Sequence, residues 1–240
     1  MTALSVNINK LALLRNSRGR DYPHLLNFAG RFIDLGVNGI TIHPRPDERH
    51  IRPQDAYDLA GFLRTRKNVE YNIEGYPSQG FLQLIQDTRP HQCTLVPDAD
   101  SQLTSDHGWD FTTHGDFLVD IIRRIQSWGV RVAVFLDPDV RQVGLAASAG
   151  ADRIELYTAS YAEEFAKGNS NLDLYSSAAS RAQELQMGVN AGHDLDLLNL
   201  RNFLTIPGIL EVSIGHALIV ECIEQGMEQV IRKYLAICKS

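Results

Sequence analysis

Short runs of β-branched and apolar residues recur along the chain, and stretches of helical periodicity separate them. Leu4 to Ile8 reads as the first strand. Leu25, Phe28, Phe32 and Leu35 then share one helical face. Asp21-Tyr22-Pro23 reads as that helix's start, with Asp as N-cap and Pro in the first turn, and Gly36 stops it. Gly39 to Ile42 is the second strand, and Pro53 opens a helix with Ala56, Leu59, Ala60 and Leu63 on one side. Strands three to eight are predicted at Val69–Ile73, Cys93–Val96, Val132–Leu136, Ile154–Tyr157, Gly188–Ala191 and Leu210–Ile214. Helices are predicted over Phe81–Thr88, Phe117–Trp128, a segment capped by Asp137-Pro138 and ending at Gly150, and Ala162–Gln186 with a break at Gly168-Asn169-Ser170. Two more, parted near Gly226, close the chain, while Pro97 to Asp110 is polar with no clear period.

About eight β-then-α units alternate strictly, which implies parallel strands because each crossover needs a helix. In 240 residues this reads as one α/β domain over positions 1–240, a (β/α)8 TIM barrel with extra helices. An open doubly wound sheet is the alternative. Against it, neither G-x-G-x-x-G nor G-x-x-x-x-G-K-[ST] follows the first strand.

Composition narrows the function. At 44% hydrophobic the chain can fill a sizeable core, and a net charge of −6 argues against a nucleic-acid partner. A cationic patch must then be local, which suits a phosphorylated small molecule. Cys93, Cys222 and Cys238 form no CxxC pair, so a reduced, cytoplasmic setting is the expectation. The N-terminal stretch lacks the regions of a signal peptide, and no apolar run approaches a membrane span, so no membrane partner is expected.

The second strand changes character within one residue, from Gly39-Ile40-Thr41-Ile42 to His43, Arg45, Arg49 and His50. In a barrel those groups sit at the carboxyl-end face, where chemistry is placed. Other strand ends add to them: Asn7, Asn9 and Lys10, with Arg15 and Arg18 beyond; Asn190-Ala191-Gly192-His193; and Gly215-His216. Glu70 lies inside the strand-like run NVEYNI, where a carboxylate is costly unless paired or functional. It reads either as the partner of a barrel arginine or as a general base with a raised pKa. Glu155 carries the same two readings, and there the structural one is preferred. The two Gly-His turns follow strands seven and eight, where barrels bind phosphate on loops and a helix N-terminus. No H-x-H, H-E-x-x-H or Cys/His cluster points to a metal. A Schiff-base enzyme needs a buried lysine, and Lys10 is the sole candidate.

The segments VNINKLALLRNSRG, GITIHPRPDERHI, NVE, LVPD…LTSDHGWD, NAGHD and IGHA occur in this order. Together they closely resemble the pyridoxine 5′-phosphate synthase family of the deoxyxylulose-phosphate-dependent vitamin B6 pathway. The resemblance implies a (β/α)8 barrel assembled as a homo-octamer. It implies condensation of 1-deoxy-D-xylulose 5-phosphate with 3-amino-2-oxopropyl phosphate to pyridoxine 5′-phosphate, phosphate and water, with no metal or organic cofactor. By motif, His43 and Glu70 correspond to proton acceptors and His193 to a proton donor. Asn7, Arg18, the loop at Asp194 and the Gly215-His216 turn correspond to contacts with the amino-ketone phosphate. Arg45, His50 and Thr104 correspond to contacts with the deoxyxylulose phosphate. The polar stretch after strand four resembles the family's closing lid.

The chain departs from the familiar form at Asn9-Lys10, where Asp-His is usual, and at Asp194, where Gly is usual. Asn9 and Lys10 stay in the expected substrate-binding set, Lys10 as a contact to a hydroxyl or phosphate. Two other readings stand beside the synthase: another phosphosugar isomerase or lyase on the same barrel, and a non-catalytic barrel that only binds pyridoxine phosphate. The last would be expected to lose His43, Glu70 or His193, and all three are present.

Overall fold

The computed structural model describes residues 1–98 and 104–239. Eight parallel strands close into a barrel in sequence order. They are β1 (Ala3–Asn7), β2 (Gly39–Ile42), β3 (Glu70–Gly75), β4 (Gln92–Leu95), β5 (Arg131–Leu136), β6 (Arg153–Tyr157), β7 (Gly188–Gly192) and β8 (Ile209–Ile214). The register of β1 on β8 pairs Ala3 with Glu211 and Val6 with Ile214 and completes the ring. The predicted (β/α)8 barrel and its strand count are therefore correct.

The helices on the outer side are α1 (Asn9–Asn16), α2 (Leu25–Asp34), α3 (Pro53–Leu63), α4 (Gln79–Thr88), α5 (Phe111–Gln126) and α6 (Val140–Ser148). After them come α7 (Ala159–Ala166), α8 (Leu172–Glu184), α9 (Leu200–Phe203), α10 (His216–Gln225) and α11 (Met227–Lys239). The break at Gly168 and the parting at Gly226 fall where the pattern predicts, both with positive φ. Two starts differ. His24, not Asp21, caps α2 by accepting from Asn27 N–H. Asp139, not Asp137, caps α6 through Arg141 N–H. The polar segments of α1 and α9 carry too little apolar periodicity to be read as helices from the sequence.

Period-two alternation sorts the strand residues. Leu4, Ile40, Ile73, Leu95 and Val134 face outward and join the apolar layer under the helices. Most inward positions are polar, Ala133 and Phe135 of β5 being exceptions, in place of the branched aliphatics usual in such barrels. Ser5 and Thr41 hydroxyls meet at 2.8 Å, Thr94 donates to Asn72 at 3.0 Å, and Asn190 donates to Gln92 at 3.3 Å. Burying these groups is tolerable because they satisfy one another. The hydrophobic free energy of folding thus resides between sheet and helices, and the barrel axis is left to groups that carry charge and protons.

Candidate active site

The carboxyl ends of the strands gather most of the expected residues. His43, just past β2, donates its backbone N–H to Asn9 Oδ1 at 2.9 Å, and Asn9 N–H donates to Asn7 Oδ1 at 3.0 Å. The departure at position 9 therefore keeps a role as an acceptor that positions His43. The His43 ring lies between two carboxylates: Nδ1 is 3.8 Å from Glu74 Oε2, and Nε2 is 3.9 Å from Asp98 Oδ2. Asn7 Nδ2 reaches Glu74 Oε2 at 3.5 Å. Arg45 Nη2 donates to Asp98 Oδ2 at 2.5 Å, and both side chains are buried. His50 is buried beside them, its Nδ1 accepting Ile51 N–H at 2.9 Å. Arg15 is spent elsewhere, on a two-pronged pair with Asp55 at 2.5 and 2.8 Å.

The opposite wall comes from β5 to β8. The His193 imidazole packs against Phe135 at 5.5 Å and edge-on against Tyr157 at 5.1 Å between centroids. Its backbone is left-handed, φ +83°, and so is that of Asp194, φ +55°. Thr158 Oγ1 lies within reach of the Gly192 and His193 carbonyls, and Asn199 Nδ2 donates to Asp194 O at 2.9 Å; these bonds hold the strained turn. A Cβ at Gly192 would stand 2.6 Å from Glu155 Oε1, so only glycine lets the buried carboxylate approach. A Cβ at Gly215 would press on Asn7 at 3.1 Å. Gly215 is the N-cap of α10, whose first N–H groups have no partner within the helix, an anion-binding arrangement. His216 opens α10 and is exposed; Lys10, Arg18 and Thr104 are exposed as well. Exposed Lys10 lacks the desolvation that a Schiff-base amine needs. Residues 99–103 of the expected lid lie outside the described residues.

Glu70 is where structure and expectation part. It is the first residue of β3, so it lies at the amino end of the barrel. There it pairs with Arg131 and, at 3.8 Å, with Arg153. Arg131 Nε also donates to Gln92 at 3.1 Å and Arg153 Nη1 to Asn190 at 3.2 Å. Four residues of strand, about 13 Å, separate Glu70 from Glu74. The barrel-arginine reading of Glu70 is correct, and the proton-acceptor placement is not: the carboxylate that meets His43 is Glu74. The chain contains two similar triplets, Asn68-Val69-Glu70 and Asn72-Ile73-Glu74. The expected strand stopped at Ile73, whereas β3 runs to Gly75 and carries Glu74 to the mouth. Asp98 and Ser105, which donates to Asp98 at 2.7 Å, were missed as well. They sit in the stretch without periodicity, where no sequence pattern indicates direction.

Electrostatics divides these groups. Burial, then the nearby cations Arg45 and the other histidines, pushes His43 well below the ordinary imidazole value. Burial and then Arg45 lower His50 to about 4. Burial also lowers His193, with Asp194 and Asp98 opposing. Conversely, burial raises Glu74 well above the carboxylate range, helped by Glu155, Asp98 and Glu211. Burial raises Glu155 to about 7, with the Thr94 hydroxyl opposing. Imidazoles kept neutral by burial beside a buried carboxyl group of raised pKa are a set for moving protons. Among the described residues, no three His, Cys, Asp or Glu side chains are placed to hold a metal ion.

The fold is a (β/α)8 barrel with polar side chains gathered at its carboxyl-end mouth, and solved structures agree on the fold. The chain is similar to phosphoribosyl anthranilate isomerase from Thermotoga maritima, with TM-score 0.63, 14% identity and coverage of 100% of this chain and 99% of that one. It is also similar to thiamine phosphate pyrophosphorylase from Pyrococcus furiosus, with TM-score 0.65, 10% identity and coverage of 99% and 95%. Sequence comparison is far more specific. Relatives described as pyridoxine 5′-phosphate synthase from Christiangramia forsetii and Flavobacterium johnsoniae are each 50% identical, over 100% and 98% of both chains respectively. The family described as "Pyridoxal phosphate biosynthesis protein PdxJ" matches residues 4–240, and the chain belongs to that family.

Proposed function

We propose that this enzyme is a pyridoxine 5′-phosphate synthase, condensing 1-deoxy-D-xylulose 5-phosphate with 3-amino-2-oxopropyl phosphate to pyridoxine 5′-phosphate, phosphate and water. The observation that carries the reading is His43 held as a neutral imidazole between Glu74 and Asp98, facing the wall that bears His193. Imine formation, dehydration, phosphate loss and ring closure each move protons, so more than one acid–base group is needed. His43 and Glu74 accept them. Glu74 takes the role that the motif match assigned to Glu70. His193 returns a proton, its ring kept in place by Phe135 and Tyr157.

Two phosphorylated substrates need two anion cradles. Arg45, His50 and Thr104 serve the ketose phosphate. Asn7, Arg18, the backbone at Asp194 and the Gly215-His216 turn at the start of α10 serve the amino-ketone phosphate. Lys10 contributes long-range positive charge, since it acts on both His50 and His193. Glu155, under Gly192, supplies a carboxyl group that titrates near neutral pH beneath the reacting centre.

Among the described residues, no helix is long and apolar enough to cross a membrane. The reading places the enzyme in the cytoplasm as a homo-octamer. Assembly would have exposed apolar side chains to cover: Leu14, Leu198 and Ile223 are 53%, 79% and 74% exposed. Purified enzyme given both substrates should form pyridoxine phosphate, followed by absorbance, and light scattering should return a mass near eight chains. No product refutes the reaction; a monomer at micromolar concentration refutes the assembly.

A further inference from the structure

Asp98 has a feature that the acid–base roles leave unused. Its side chain is 3% exposed, three residues past the end of β4. Oδ2 is fully engaged: it accepts from Arg45 Nη2 at 2.5 Å and from Ser105 Oγ at 2.7 Å, and it lies 3.9 Å from His43 Nε2. Oδ1 is equally buried and has no hydrogen-bond partner among the described residues. A carboxylate oxygen has room for two donors, and leaving one buried and unmet costs free energy that folding alone does not recover. Such an atom beside a reactive imidazole and a phosphate-binding guanidinium is in place for a donor that arrives with the substrate.

The chemistry selects among donors. The amino group of the amino ketone must be neutral to attack a carbonyl, and a bare carboxylate would hold it as ammonium. A hydroxyl loses nothing by donating to a carboxylate. Asp98 also shares Arg45, which belongs to the ketose phosphate in the reading above. We propose that Asp98 is a specificity-determining residue that positions the ketose phosphate: Oδ2 holds Arg45 and Ser105, and Oδ1 accepts one of the ketose hydroxyls. The proposal rests on the synthase reading.

Asp98→Asn keeps the shape but cannot offer two acceptor oxygens. A hydrogen bond to a charged acceptor corresponds to roughly a 10- to 100-fold effect. The KM for deoxyxylulose phosphate should therefore rise about 10- to 100-fold while that for the amino-ketone phosphate changes less than about threefold. KM does not depend on the fraction of enzyme that is folded, so partial instability does not blur the comparison. Ser105→Ala removes one bond to Oδ2 and leaves Oδ1 untouched, so its ketose KM should rise less than about fivefold. Ketose phosphates lacking one hydroxyl at a time test the same point in the parent enzyme without any variant. One of them should lose affinity by the same factor, and that loss should vanish in Asp98→Asn. Equal KM increases for both substrates in Asp98→Asn, or parental affinity for every deoxy analogue, would overturn the role of Asp98. A parent enzyme that converts neither substrate would instead overturn the synthase reading.

Discussion

The pair Glu74→Gln and Glu70→Gln tests the assignment of the catalytic carboxylate, because the two residues share a strand and a barrel face but not an end. Glu74 is 12% exposed, and its ionised form is opposed first by burial and then by Glu155, Asp98 and Glu211. Glutamine removes that opposed charge, so the melting temperature should stay the same or rise. It also removes the acceptor beside His43. General acid–base catalysis contributes about 10²–10⁴-fold, so kcat should fall by that factor, equivalent to a barrier about 3–5 kcal/mol higher. Glu70 is 25% exposed and holds two guanidiniums that would otherwise face each other. With partial exposure, its loss should cost about 1–2 kcal/mol, between a surface and a buried pair. In a chain of this size that lowers the melting temperature by about 2–8 °C. At about 13 Å from the mouth, Glu70→Gln should leave kcat within about twofold for the folded enzyme. Steady-state kinetics and thermal unfolding on the same preparations decide. Parental kcat in Glu74→Gln, or a hundredfold loss in well-folded Glu70→Gln, would refute the reasoning.

Three further outcomes are expected. Lys10→Met should raise KM for at least one substrate more than it lowers kcat, since a long-range charge acts on ground and transition states alike; unchanged KM values for both would leave Lys10 merely solvated. Asp194→Gly should keep both KM values within about threefold and lose no stability, because it relieves about 1 kcal/mol of left-handed strain while keeping the backbone contact; a large KM increase would show that the carboxylate itself binds. Stability should fall as pH rises from about 6.5 to about 8. Glu155 and Glu211, ordinarily near 4.5, are raised to about 7 and about 8 chiefly by burial, so the stability they contribute is lost as pH rises through those values. His43 and His50 are lowered from 6.5, so theirs is lost as pH falls below 6.5. Glu211→Gln should then raise the melting temperature by about 2–8 °C at pH 8.5 and by roughly half as much or less at pH 6; an equal gain at both would remove the titration argument.

Much of this molecule was legible in the sequence. Strict alternation of strand and helix settles parallel strands, since each crossover needs a helix, and the count of about eight units points to a closed barrel over an open sheet. Parallel strands place every strand end that runs into polar residues on one face, which groups His43, Arg45, His50 and His193 from the sequence alone. The outer and inner faces are likewise local, because period two is a property of the backbone. Direction along a strand is different. Asn68-Val69-Glu70 and Asn72-Ile73-Glu74 are nearly the same triplet, and both glutamates face the barrel axis. Only the register of β3 against β2, which pairs Glu70 with Gly39 and Ile42 with Ile73, tells which triplet lies at the mouth. Asp98 shows the same limit. Its pairing with Arg45 spans 53 positions and depends on how two loops meet above the barrel. Periodicity reports which face a residue occupies. Which end of the barrel it reaches, and whose charge it meets there, is decided by sheet register and loop packing, which are set by contacts between residues far apart in the chain.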